Sequence, residues 1–272
     1  MRATNQFDPF ASVEIEPVLT SEGIETKRSI VKVKDDEGKF QPVSSVSSGY
    51  QLITNEQAQQ VVTDVQTRSR FTWQELRPTF FDGKRFLSYY MSEENIGKVS
   101  NGIKRTMRVG MLARNSYDGS CRFGIQMFMA MLECSNQFIH PNLFGSFLLR
   151  HTTGEGGSNM LDPEDAAEQI SRQANVMLEL APAIGAMKES GVLTIDDLRD
   201  AKQKVAIAPT KWGNVLDHIE ADNRFGLMNA LTYVASHDID GMASVRAGES
   251  IGRYFLDNDE TVRQTVRGSK VD

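Results

Sequence analysis

The densest run of hydrogen-bonding chemistry in the chain is Arg-Asn-Ser-Tyr-Asp-Gly-Ser at residues 114–120. Placed at a strand end, Arg114, Asn115 and Ser116 could hold a phosphate or the edge of a base. Asp118-Gly119 is also a hairpin signal, with Asn115 and Ser116 available to bond their own backbone. Both readings stay open at this level. His151 adjoins Arg150, a cation that disfavours the charged imidazole and makes it a poor base. A metal-dependent enzyme acting on nucleotides or nucleic acid through Asn115, Asp118 and His151 is therefore the alternative reading and not the leading one. Residues 154–159, Gly-Glu-Gly-Gly-Ser-Asn, could cradle an anion before a helix. The stretch lacks the Gly-Lys-Ser/Thr ending of a phosphate loop and reads better as a linker. No metal-ligand set, Ser/His/Asp order or His-Glu-x-x-His pattern is evident, so the sequence suggests no catalytic residue, metal or cofactor.

A second constellation combines cations with rings. Arg68, Arg70, Phe71, Trp73 and Arg77 share one strand-like run, Lys84, Arg85, Phe86, Tyr89 and Tyr90 the next, and Lys104, Arg105 and Arg108 a third. Single-stranded nucleic acid is held by this pairing, with cations along the phosphates and aromatic faces under the bases. On this reading Arg70, Arg77, Lys84, Arg85, Lys104, Arg105, Arg108, Arg114 and Arg150 meet phosphates, Trp73 and Tyr89 stack, and Asn115 assists. The competing reading places the rings in the core and the arginines on a solvated face.

Charge segregation favours the first. The net charge of the 272 residues is −6, yet residues 68–150 hold 12 basic and 6 acidic side chains. The remaining 18 basic and 30 acidic residues give the rest of the chain −12. A basic segment in an acidic protein can still attract a polyanion. Cys121 and Cys134 lie thirteen apart with no second pair, which suits a reducing compartment and buried thiols. The first ten residues lack the apolar stretch of a signal peptide, and no run of eighteen apolar residues occurs, so a cytoplasmic protein away from the membrane is expected.

The elements that must position these residues indicate an α+β fold: an N-terminal antiparallel β-sheet with one short helix, followed by a mainly helical C-terminal portion. Residues 1–48 read as an extended arm and β-hairpin, with alternation from Arg28 to Lys34 and a loop over residues 44–49. Residues 49–153 form a basic β-rich core, opened by a helix over residues 57–67 with Asn55 as its N-cap. Four strands follow, with turns at Arg77-Pro78, Asp82-Gly83, Asn101-Gly102 and Asp118-Gly119. In the third, Ile103, Met107, Val109 and Met111 share one face, and Lys104, Thr106 and Arg108 point outward from the other. The fourth, apolar at Phe123, Ile125, Met127 and Met129, should be central. Residues 160–256 are a helical portion packing on the sheet, with starts at Asp162-Pro163 and at Thr194 with Asp197, and a helix within residues 221–237. Residues 257–272 read as a frayed tail.

Three segments in order carry a resemblance: Asn115-Ser116-Tyr117-Asp118-Gly119-Ser120, Glu133-Cys134-Ser135-Asn136, and Leu149-Arg150-His151-Thr152-Thr153-Gly154. They resemble the Asn-Ser-x-Asp-Gly-Ser turn, Cys-x-Asn segment and Lys/Arg-x-x-His-Thr segment of the phage- and plasmid-associated domain-of-unknown-function family 932 (DUF932). The similar stretch covers residues 49–240. The resemblance implies a mobile-element setting near DNA metabolism and no catalytic residues. Together these features lead to a phage-like single-stranded DNA-binding protein, a replication or recombination accessory or annealing protein, whose helical part supports homo-oligomeric assembly. A mobile-element factor that meets an acidic host protein through the same basic face is the remaining alternative.

Overall fold

The computed structural model of the chain describes residues 7–98, 106–131, 136–140, 146–149 and 163–257. It is an α+β protein with two antiparallel sheets and a C-terminal helical portion. The first sheet has the order β1-β2-β3, from β1 (Val13–Leu19), β2 (Glu25–Lys34) and β3 (Phe40–Ser47). Alternation in β2 buries Val31 and Val33, and Val46 of β3 joins them in the core. The expected extended arm is instead the partner of β2, with Val13 opposite Val33 and Ile15 opposite Val31. Residues 44–47, expected in a loop, belong to β3: their serines are poor strand formers, but pairing with β2 overrides that preference.

Helix α1 (Asn55–Arg68) buries Ala58, Val61, Val62 and Val65 at helical spacing. Its N-cap is Thr54, one residue before the expected Asn55, and Thr54 with Gln57 forms a reciprocal capping box. The Asn55 amide serves tertiary bonds instead, donating to the Pro9 carbonyl at 2.8 Å.

The second sheet has the path β10-β8-β7-β5-β4, with β6 paired to β7 and β9 to β8. Its strands are β4 (Trp73–Phe81), β5 (Arg85–Ser92), β6 (Gly97–Lys98), β7 (Thr106–Ser116), β8 (Phe123–Met131), β9 (Asn136–Ile139) and β10 (Ser146–Leu149). Between residues 70 and 132 the four long strands match expectation, and the Asp82-Gly83 and Asp118-Gly119 turns lie where the sequence puts them. Arg77-Pro78 is not a turn. Pro78 sits inside β4, an outer strand of this path, where a missing amide is tolerated, and register shifts flank it. The Asn101-Gly102 turn lies outside the described residues.

Helices cover both faces of this sheet. On one, Met107, Val109, Met111 and Ala113 of β7 and Phe123, Ile125, Met127 and Met129 of β8 join the core of α1 and α2 (Pro163–Glu179). On the other, Leu87, Tyr89, Leu112, Phe128 and Ile139 meet Met242 and Val245 of α7 (Gly241–Leu256). Residues 123–130 of β8 are accordingly buried without a break, as a strand covered on both sides requires. The outward cationic face expected of β7 is thus largely a second packing face. Close approach of α7 depends on Gly252, where an added Cβ would stand 1.9 Å from the Ile139 carbonyl oxygen.

The remaining helices are α3 (Ala181–Ala186), α4 (Ile195–Lys204), α5 (Trp212–Asp217) and α6 (Arg224–His237). The start at Pro163 and the Thr194–Asp197 capping box agree with the sequence, and Asn223 caps α6. Asp162 and the tail beyond residue 257 lie outside the described residues.

Candidate nucleic-acid interface

At one end of the larger sheet, where β4 begins and β7 emerges, a cleft of roughly 320 Å³ opens against α2. Arg70, Phe71, Glu94, Asn95, Ile96, Ala174, Asn175 and Leu178 line it. The chain reverses here through a short polar turn after β5, and Glu93 N–H donates to the Thr72 carbonyl at 2.8 Å, tying the two strand ends together. The Glu94 carboxylate accepts the Thr72 amide through both oxygens, at 2.9 and 3.0 Å. Burial pushes this carboxyl up, but the Thr72 bonds and the charge of Arg108 outweigh it and hold the group below the usual carboxylate range.

Cation and ring meet at the mouth. The Arg70 guanidinium lies 5.0 Å from the centroid of the Phe71 ring, which packs edge-to-face on Trp73 at 5.9 Å. The Trp73 indole N–H donates to Ser69 Oγ at 2.7 Å, fixing the ring. Arg108 Nε donates to Asn95 Oδ1 at 3.2 Å, and Arg70 Nη2 reaches Asn175 Oδ1 at 3.5 Å. Among the described residues neither arginine has a carboxylate within ion-pair distance. Of the predicted interface residues, Arg70 lines the cleft, and Trp73 and Arg108 contact its lining residues Phe71 and Asn95.

The others are dispersed. Tyr89, expected to stack on bases, is 1 % exposed beneath α7, and the Arg77 guanidinium lies over its ring at 3.5 Å while donating to the Ser236 carbonyl. Arg114 is turned inward to Glu249 of α7 at 3.6 Å, and Gln126 donates to the same carboxylate. Asn115 is fully buried and donates to the Ile53 carbonyl and to Asn55 Oδ1, so it joins β7 to the start of α1 instead of meeting a ligand. Lys84 is exposed at the far end of the sheet, beside Arg85, whose guanidinium is neutralised by Asp82 at 2.6 Å. Lys104, Arg105 and Arg150 lie outside the described residues.

The turn at residues 114–120 has a structural use throughout its length. Ser116 Oγ donates to the Cys121 carbonyl and accepts its amide, Tyr117 is buried with its hydroxyl accepting the Asn55 amide, and Asp118 accepts the Ser120 amide. Burial pushes the Cys121 thiol up, as expected of an unreactive cysteine. Asn115 and Asp118 therefore serve turn and packing here, while His151, Cys134 and the Gly-rich residues 154–159 lie outside the described residues. Among the described residues no group of His, Cys, Asp and Glu is arranged to hold a metal ion. No described helix is long and apolar enough to cross a membrane.

The sequence does not single out Glu94, Asn95, Asn175 or Leu178. Glu94 and Asn95 stand in a polar turn without a motif, and Asn175 arrives on a helix 105 residues after Arg70 in the chain. Comparison with protein-family models, with curated proteins and with solved structures finds no match to this chain.

Proposed function

We propose that the chain binds single-stranded nucleic acid, with the cleft at the β4–β7 end of the sheet as its site. The observation that carries this reading is Arg70, exposed and without a carboxylate partner among the described residues, lying over Phe71 at the mouth of an open cleft. A guanidinium backed by an aromatic ring offers a cation for phosphate and a flat surface for a base at one point. Arg108 adds a second positive charge beside the lining residue Asn95, and Trp73 supports the Phe71 ring from its edge.

The basic balance of residues 68–150 supports the reading, as does the resemblance to a mobile-element family near DNA metabolism. A replication or recombination accessory role follows from that resemblance. The broad sheet face has no part in the proposal, because α6 and α7 occupy it.

Fluorescence anisotropy of a labelled single-stranded oligonucleotide, titrated at low and moderate salt with duplex as control, tests the proposal. Binding should prefer single strands and weaken with salt. Replacing both Arg70 and Arg108 by Ala should lower the slope of log affinity against log salt by about 1.4, the release expected from two phosphate contacts. Absence of binding at low salt, or a double variant that binds as well as the parent, would overturn it.

A further inference from the structure

The polar groups of the cleft have fixed senses. Arginine only donates hydrogen bonds, so the amide oxygens of Asn95 and Asn175 must be the atoms that face Arg108 and Arg70. Each amide NH2 is then directed away from its arginine, and among the described residues neither has an acceptor. Both amides line the cleft together with the exposed carboxylate of Glu94, which already accepts from Thr72 and, being ionised, can meet a ligand only as an acceptor. The cleft therefore offers two donors and one acceptor above an apolar lining of Phe71, Ile96, Ala174 and Leu178. At roughly 320 Å³ it is at the small end of ligand sites, suited to a single ring system.

We infer that the cleft selects a thymine- or uracil-type base, whose edge presents carbonyl, N–H and carbonyl against the amide of Asn95, the carboxylate of Glu94 and the amide of Asn175. The inference rests on the nucleic-acid reading of the same cleft. Cytosine and adenine place an amino donor where one of these carbonyls stands, and guanine replaces one carbonyl with an amino group. Each would set donor against donor and lose one of the three edge pairs, the mismatch that base-edge contacts discriminate against. Glu94 also explains why a base and not a phosphate belongs against this wall of the cleft: a carboxylate repels the phosphate, which is left to Arg70 and Arg108.

Competition against a labelled oligothymidylate by unlabelled oligothymidylate, oligouridylate, oligodeoxyadenylate and oligodeoxycytidylate of equal length tests this on the full chain. Oligothymidylate and oligouridylate should both compete at least about fivefold better than the other two, the discrimination of one well-formed base-edge pair. The order between those two assigns DNA or RNA as the source of the base. Asn175→Asp, which turns a donor into an acceptor at an exposed helix position, should collapse the oligothymidylate-to-oligodeoxyadenylate ratio toward one with an unchanged thermal unfolding midpoint. Equal competition by all four would overturn the base preference and leave nucleic-acid binding standing. No competition by any of them, with no binding of the labelled strand, would overturn both.

Discussion

The Arg77 guanidinium lies 3.5 Å from the centroid of the Tyr89 ring and donates to the Ser236 carbonyl of α6, so one side chain joins the outer strand β4 to the helices over the sheet. Burial pushes the Tyr89 hydroxyl up against the pull of Arg77, and the ring remains a neutral phenol under the cation. Removing the guanidinium would forfeit a desolvated cation–π contact and a charged hydrogen bond. Arg77→Ala should cost about 2–4 kcal/mol in urea unfolding. Arg77→Lys, which keeps the charge and loses the plane, should recover only part of this. Neither change should alter oligonucleotide affinity at the cleft, although the sequence suggests Arg77 as a phosphate contact.

Asn115 links the end of β7 to the start of α1 through two donated bonds, at 2.8 Å to the Ile53 carbonyl and 2.9 Å to Asn55 Oδ1. Asn115→Ala leaves the buried Asn55 oxygen and the half-buried Ile53 carbonyl without that donor, and should cost about 1–3 kcal/mol. Asn115→Asp should be no better, since a carboxylate cannot donate. Chemical denaturation of the two variants measures this, and a loss of oligonucleotide binding with unchanged stability would instead place Asn115 at a ligand.

Gly252 and Gly213 give opposite expectations for the same substitution. At Gly252 an added methyl meets the Ile139 carbonyl oxygen at 1.9 Å, and backbone must move, so Gly252→Ala should cost about 3 kcal/mol or more. At Gly213 in α5 nothing lies within 4 Å, and Gly213→Ala should stabilise by about 0.4–1 kcal/mol through the unfolded chain. Thermal midpoints of the two variants should fall on opposite sides of the parent.

His140, buried at the end of β9, bonds Asp257 at 2.8 Å where α7 ends. Burial draws its pKa below the ordinary 6.5, and Asp257 offsets this only in part. As pH falls through 6.5 the unfolded chain takes up a proton that the folded chain refuses, so stability is lost from that point downward and levels off below the folded value. His140→Gln should remove this part of the pH dependence, seen as the difference between parent and variant unfolding curves from pH 7 downward.

Local sequence was sufficient where local physics decides. The period of two in β2 and β7, the helical spacing in α1, the proline start of α2 and the Thr194–Asp197 box all lie within a few turns of chain, and each element formed where its pattern stands. It misled where a residue satisfies two roles at once. Pro78 is a turn residue and also an outer-strand residue, and only the strand order tells which applies.

By itself the sequence determined the α+β class, the four long strands with the starts of α2 and α4, and the concentration of basic charge in the β-rich segment. Tertiary structure decided which cations reach solvent. Side-chain alternation assigns Arg108 and Arg114 to the same face of β7, but the register and the seating of α7 bring Arg114 to a carboxylate and leave Arg108 at the cleft. Arg70 and Asn175 meet across 105 residues because a helix crosses the sheet end, a contact set by the packing of apolar faces and encoded in no stretch near either residue.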